Sequence, residues 1–216
     1  MSEVRSQGHR FATLYDTAKR CLIIMDQLFA DLEDLLRKVN DTVYLQSNPD
    51  ITVRIYICVF SMIDFANRFD QIVDAMPLLS KRRPEVRQLH SALRPLAESR
   101  NYIQHIRNHL SKVDKIDFPI LGSISWIIGN RNYVLLPTQM TEGYGTPGIT
   151  YDSLAKQYMC KYQFAISSYQ IALDSIYQES KIFWKWLEGA SHIDPAEIKK
   201  YEWGGPNILY SEFEKP

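Results

Sequence analysis

The chain has 216 residues, of which 45% are hydrophobic and 23% charged; this is enough for one substantial hydrophobic core and short for two domains. Its 25 basic and 25 acidic side chains cancel, which excludes the global field that gathers nucleic acid or anionic lipid from solution. We therefore expect one domain, in which any affinity for an anionic partner comes from a local cluster of charge.

The sequence predicts four long helices, because apolar residues recur at steps of three and four. The first runs from Phe11 to Val39, and the second follows the stop at residues 48–50 and ends near Met76. The third begins at Pro84 and is interrupted at Pro95, where the missing amide should kink the helix or begin a new one. The fourth covers residues 162–187 and is closed by Gly189.

A β-hairpin is predicted between the third and fourth helices, at about residues 121–137, because two runs of alternating apolar residues flank Gly129-Asn-Arg-Asn132. The predicted fold is therefore all-α, an antiparallel four-helix bundle that carries this hairpin as an insertion. A single domain would span residues 1–216, with an irregular tail at about 190–216 that docks through its aromatic side chains.

The N-terminus, MSEVRSQGHR, does not resemble a secretory signal, and the longest apolar run, residues 55–63, has nine residues, against roughly twenty for a membrane helix. Cys21, Cys58 and Cys160 lie in apolar runs without the spacing of a metal site. They are expected to be reduced, buried thiols. We expect a cytoplasmic protein that has no membrane partner.

Charge is distributed unevenly along the neutral chain. Residues 80–115 carry nine Lys or Arg against three acids, a net of +6, whereas residues 16–74 hold ten acids against six bases, a net of −4. The third helix is therefore a basic strip. Either it is a solvated face paired with acidic neighbours, or it meets an anionic partner.

Residues 95–115, wound as a helix at about 100° per residue, concentrate polar side chains opposite the apolar stripe. Asn101, His105 and Asn108 share one face, with His109 beside them, while Arg100 and Arg107 border the apolar stripe. Arg100 and His105 are about 140° apart on this wheel. The two side chains can therefore act on one ligand only if another helix or a second subunit packs across the end of this helix. This geometry indicates a cleft at an interface.

The segment Arg100-Asn-Tyr-Ile-Gln-His105 resembles the Arg, polar residue, spacer, His signature of the HEPN superfamily of helical bundles. The similarity covers the helix order, the motif and its placement, but neither the hairpin nor the tail. The resemblance implies a homodimer in which the motifs of two subunits face each other and, in active members, metal-independent cleavage of RNA. It also implies a toxin–antitoxin or phage-defence setting with an antitoxin partner, although some members only bind nucleotides or partners.

These residue types suit that chemistry. His105 would exchange a proton with a ribose 2′-hydroxyl or a leaving 5′-oxygen, and Arg100 would stabilise negative charge on the phosphate. Asn101 would orient His105 or the phosphate. We expect Arg107, Asn108 and His109 to bind the substrate, and no metal or cofactor is required.

Four other interpretations compete with this one. In a non-catalytic interaction protein, the same polar groups would form a contact between subunits. His105 and His109, four residues apart, would suit a metal, but no third ligand accompanies them in the sequence.

The match to GxGxxG at residues 143–148 contains Pro147 and lacks repeated strand–helix units, so it predicts a loop. Trp126 and the Tyr-rich fourth helix would offer a base-stacking surface, but aromatics at helical spacing are usually core.

Overall fold

The computed structural model describes residues 2–39, 45, 47–77, 79–106, 108, 111, 119–137 and 148–190. The four long helices are α1 (Ser2–Lys38), α2 (Pro49–Ala75), α3 (Pro84–Gln104) and α4 (Leu173–Ala190). The strands are β1 (Ser123–Ile128), β2 (Arg131–Leu135), β3 (Tyr151–Asp152), β4 (Gln157–Tyr158), β5 (Tyr162–Ile166) and β6 (Tyr169–Ala172).

Each helix packs against the next helix in chain order, and α4 also packs against α1. Helices α1 and α4 are antiparallel: Tyr15 of α1 contacts Trp184 of α4, whereas Phe29 further along α1 stacks on Tyr177 nearer the start of α4. The helical period explains this packing, because α1 buries one stripe of side chains. The buried residues of α1 are Phe11, Ala12, Tyr15, Ala18, Cys21, Leu22, Met25, Phe29, Leu32, Leu35 and Leu36, and Val39 is buried just after the helix.

A four-stranded antiparallel sheet in the order β2-β1-β5-β6 covers one end of the helices. Phe29 contacts Tyr162 of β5 edge-on, and Phe60 of α2 contacts Phe164 in the same way. The buried Tyr56 hydroxyl of α2 donates a hydrogen bond to the Gly122 carbonyl oxygen at 3.0 Å. The sheet thus joins the C-terminal half of α1 to the N-terminal half of α2. A separate two-stranded sheet pairs β3 with β4.

The predicted all-α four-helix bundle is wrong, since the fold is mixed, with four helices and two antiparallel sheets in the described residues. The error lies in residues 162–172, which were assigned to the fourth helix but form the β5–β6 hairpin; α4 begins only at Leu173. In this segment Tyr162, Phe164 and Ile166 alternate, and apolar spacing fits both periods. Strand β5 lies between β1 and β6, and all five of its residues are buried. A strand that is buried on both faces lacks the clear alternation of apolar and polar residues that identifies a half-exposed strand in a sequence.

The hairpin predicted at about residues 121–137 is confirmed: β1 pairs with β2, with Ile128 opposite Arg131. Gly129 occupies the first turn position with φ +58°, as a two-residue turn of type II′ requires.

The predicted interruption at Pro95 does not divide α3, which continues through it. Conversely, α3 ends at Gln104, whereas the sequence reading extended the helix to residue 115. The predicted tail lies outside the described residues, apart from its first residue, Ala190.

The β5–β6 turn provides a test of the corrected assignment. Ser167 has φ +54°, a left-handed conformation that glycine adopts without the steric cost borne by residues with a Cβ. Ser167→Gly should raise the free energy of unfolding by about 0.5–1 kcal/mol, and Ser167→Val should lower it by at least about 1 kcal/mol. Urea unfolding measures both values. A helix across residues 162–172 would reverse this order, because glycine destabilises helices more than valine does.

Candidate functional site

The outward face of α3 is a polar stripe that ends at the predicted motif. Its members are spaced alternately by four and three residues and are all exposed: Arg87, Ser91, Arg94, Glu98, Asn101 and His105. The opposite face of the helix carries Val86, Leu89, Leu93 and Leu96, which are buried in the core. Burial of that face therefore orients Asn101 and His105 toward solvent.

Arg100 lies on the flank of α3 that faces α2, where one carboxylate contacts two guanidinium groups. Arg100 Nε donates to Asp64 Oδ1 at 2.8 Å, and Arg68 Nε donates to Asp64 Oδ2 at 2.6 Å. Partial burial would raise the pKa of Asp64, but the hydrogen bonds from Arg68 and Arg100 outweigh it and lower the pKa. Asp64 is therefore ionised at neutral pH, and the group of three carries a net charge of +1.

Acidic side chains of α2 contact two further residues of the basic segment, His90 on α3 and Lys81 just before α3 begins. His90 Nδ1 lies 2.6 Å from Asp70 Oδ1, and Lys81 Nζ lies 2.6 Å from Asp74 Oδ1. Burial raises the pKa of Asp70 more than its hydrogen bond with His90 lowers it. For these residues the strip is paired with acidic neighbours on α2. The side chains of Arg87 and Arg94, on the outward stripe, make no hydrogen bond or ion pair with any described residue.

His105 ends α3. Its backbone N–H completes the last helical hydrogen bond, to the Asn101 carbonyl oxygen at 3.0 Å, and its backbone then leaves the helical region at φ −112° and ψ 26°. The imidazole is exposed and has no hydrogen-bond or ion-pair partner among the described residues. Asn108 is also exposed, and its backbone N–H donates to the His105 carbonyl oxygen at 2.8 Å. Arg107 and His109 lie outside the described residues.

Within one chain, the predicted motif is divided between two directions. Arg100 points toward α2, where it contacts Asp64, whereas Asn101 and His105 face solvent on the outward stripe. Asp64 accepts the Nε–H of Arg100, which leaves the four N–H groups on the two Nη atoms to other acceptors. The arrangement therefore offers an ordered cation and, at the end of the same helix, an imidazole that is accessible to a proton donor or acceptor.

The metal, base-stacking and dinucleotide interpretations gain no support from the described residues. No three His, Cys, Asp or Glu side chains lie close enough there to bind a metal ion. Trp126 is 3% exposed and stacks on Tyr133, so it is core rather than an open platform. Of the GxGxxG match, only Gly148 is described. All three cysteines are free and buried, and burial raises the pKa of Cys160 to about 12, which disfavours a thiolate nucleophile.

Sequence reasoning missed Asp64 and Arg68 as parts of the site. Their signal was present, because an acid followed four residues later by a base on one helix face forms an ion pair. The uneven charge, acidic before residue 75 and basic after residue 80, also indicated pairing between the two segments. What the sequence lacked was the register of α2 against α3, which brings Arg100 to Asp64 rather than to another acid.

Comparisons with protein-family models, curated proteins and solved structures found no match to this chain. These comparisons therefore neither support nor refute the HEPN resemblance. Among the described residues, no helix is both long enough and apolar enough to cross a membrane.

Asp64→Asn tests the shared carboxylate. The substitution should lower the free energy of unfolding by about 1 kcal/mol at neutral pH, since the ion pairs are only partly buried and are screened by solvent. Because folding lowers the pKa of Asp64, the stabilisation is present above the ordinary value of 3.8 and is lost as pH falls through the folded-state value. The deficit of the variant, measured by urea unfolding, should therefore shrink on acidification.

Asp16→Asn is the matched control, because Asp16 pairs with Arg20 within α1 alone, at 2.8 Å. We expect it to cost at most about 0.5 kcal/mol. If Asp64→Asn costs no more than this control at neutral pH, the shared carboxylate does not hold Arg100 in place.

Proposed function

We propose that this protein is a HEPN-like, metal-independent ribonuclease, or an RNA-binding protein that uses the same site. The observation that carries the proposal is the pair of features at the end of α3. Arg100 belongs to a group with a net charge of +1, and five residues later His105 presents an exposed imidazole that has no partner among the described residues. These are the groups that phosphodiester cleavage without a metal requires.

Arg100 would bind the phosphate. Its Nε is fixed by Asp64, so the guanidinium is positioned before substrate arrives, and its Nη groups can donate to two phosphate oxygens. Such a preorganised donor stabilises the negative charge that develops on the phosphate in the transition state. Because Asp64 is also bound by Arg68, its negative charge does not cancel both cations.

His105 would exchange protons with the attacking 2′-hydroxyl or the leaving 5′-oxygen. Asn101 lies one turn earlier on the same exposed stripe and would orient either the imidazole or the phosphate. Asn108 is exposed beyond the helix end, where it would contact flanking nucleotides, and we assign the same role to Arg107 and His109.

Arg100 and His105 face different directions in one chain, so the proposal includes a homodimer. Two α3 ends that meet across a symmetry axis would place the Arg100 of one copy opposite the His105 of the other. As the resemblance implies, the setting would be a cytoplasmic toxin–antitoxin or phage-defence system, with RNA as substrate and an antitoxin protein as partner.

A second candidate is a non-catalytic helical interaction protein. The specific observation in its favour is that Arg100, His90 and Lys81 all pair with acids on α2. In this case Arg100 holds α3 against α2, and the exposed stripe of α3 docks a partner protein. The two candidates differ in whether the protein cleaves RNA through His105.

RNA cleavage in the presence of a chelator separates them. We expect the wild-type protein to cut a structured RNA under these conditions, and His105→Ala to slow cleavage by at least about a hundredfold, because it removes the proton-transfer group. Arg100→Ala should slow it by about a hundredfold through the loss of phosphate stabilisation. The measurement is the single-turnover rate from a gel of labelled RNA.

Arg94→Gln provides the control, since Arg94 is an exposed cation on the same stripe of α3 and makes no ion pair with the part of the chain that the structure describes. Its rate should stay within about twofold of the wild-type rate. All variants should keep wild-type helicity by circular dichroism. Cleavage that persists in both His105→Ala and Arg100→Ala would identify a contaminant or another site. Absence of cleavage in the wild type, with RNA binding that ignores Arg100, would favour the interaction protein.

A further inference from the structure

An open groove of about 460 Å³ lies between α1 and α4, and its described lining contains no residue of α3. On α1 the lining extends from Lys19 to Asp26, and on α4 it extends from Lys181 to Glu188. Each wall therefore covers about two helical turns, or about 10 Å along the helix axis. A groove of this length and openness suits a segment of polypeptide better than a small molecule.

Each wall of the groove exposes an isoleucine. Ile23 on α1 is 56% exposed, and Ile182 on α4 is 57% exposed. Both line the groove together with Leu22 and Trp184, which belong to the hydrophobic core. A single exposed apolar side chain is common on a protein surface, whereas apolar side chains grouped at one place indicate an interaction site. The groove is therefore a candidate docking surface.

The acidic groups of the groove are already engaged within the fold. Asp26 Oδ1 accepts a hydrogen bond from the Tyr177 hydroxyl at 2.5 Å, and Lys181 Nζ lies 3.7 Å from the same oxygen. Lys181 Nζ also donates to the Tyr177 hydroxyl at 3.1 Å, so these three groups form one cluster that joins α1 to α4. Glu188 likewise interacts with another group.

Two lysines at the groove have no such partner. Lys19 on α1 and Lys185 on α4 are exposed, and neither makes a side-chain hydrogen bond or an ion pair with any described residue. With Lys181, they give the groove three cations against two acids, a net charge of +1. The charge that is left to a partner is therefore positive, and it lies on both walls.

The register of the two helices places these lysines opposite each other. Helices α1 and α4 are antiparallel, and the register is fixed by the ring contact of Tyr15 with Trp184 and the ion pair of Asp26 with Lys181. Between these contacts the two unpaired lysines face each other to within about one turn, and the two exposed isoleucines do so one turn further along α1. The groove thus presents a cationic level beside an apolar level.

We infer that this groove docks an amphipathic helix of a partner protein. An apolar side chain of that helix would lie between Ile23 and Ile182. A carboxylate one turn away on the same face of the helix would pair with Lys19 and Lys185. A basic helix of the same shape would meet two unpaired cations, so the charge of the groove selects an acidic partner. The inference is independent of the RNA chemistry proposed for α3.

Two synthetic peptides of about 15 residues, each labelled with fluorescein, test this surface. Both present a stripe of leucines on one helical face. The acidic peptide carries glutamate on that face at both ends of the stripe, and the basic peptide carries lysine at the same positions. We expect the acidic peptide to bind the full chain saturably and at least about tenfold more tightly than the basic peptide, as measured by fluorescence anisotropy.

Substitutions in the groove should change this binding in two ways. Ile23→Ser should weaken binding of the acidic peptide by about tenfold, because it removes an apolar contact. Lys185→Glu should weaken it at least as much and should strengthen binding of the basic peptide, because it reverses the charge of one wall. Ile57→Ser is the matched control, since Ile57 on α2 is also 56% exposed but lies outside the groove. Arg10→Glu, on an exposed arginine of α1, controls for charge reversal.

Both controls should leave the affinity unchanged, and all variants should keep wild-type helicity by circular dichroism. Equal binding of the two peptides would overturn the inference, as would full affinity in Ile23→Ser. Absence of saturable binding would also overturn it, whether the groove binds nothing or is covered by a segment of the same chain. An oligomeric state that Ile23→Ser disrupts, measured by sedimentation velocity, would assign the groove to a second copy instead. None of these results bears on RNA cleavage, which depends on α3.

Discussion

The candidate site depends on one carboxylate that is shared by two guanidinium groups. Asp64 lies midway along α2 and binds Arg68 on its own helix and Arg100 on α3. Because α3 ends only four residues beyond Arg100, this contact determines how the last turn of α3 lies on α2. It leaves the outward stripe, with Asn101 and His105, facing solvent. The ion pair that joins α2 to α3 therefore also positions Arg100 for the proposed chemistry.

The helices were largely predictable, whereas the strands that replace part of the fourth helix were not. The stripe from Phe11 to Val39 has a clear helical period, and buried side chains of α1 follow it. Gly129 similarly identified the first hairpin, because a two-residue turn requires its positive φ. Residues 162–172 lack such a signal: a serine, Ser167, occupies the left-handed position of their turn. Only pairing with β1, from a distant part of the chain, selects strand over helix there.

The composition of the candidate site was predictable to the extent that it is local in sequence. Arg100, Asn101 and His105 lie within six residues on one helix, and the wheel correctly separated Arg100 from His105. Asp64 was hidden because its pairing depends on tertiary register. Sequence patterns identify the buried and exposed faces of each helix, but they do not show which helices and strands pack against those faces.

In the proposed dimer, the Arg100 of one copy acts with the His105 of the other. The most direct test is a dimer of one Arg100→Ala chain and one His105→Ala chain, isolated by two different affinity tags. A site built across the interface predicts RNA cleavage at about half the wild-type rate, because one of two symmetry-related sites then retains both residues. A mixed dimer as inactive as either parent dimer would contradict the account, because it would place both residues in sites within one chain.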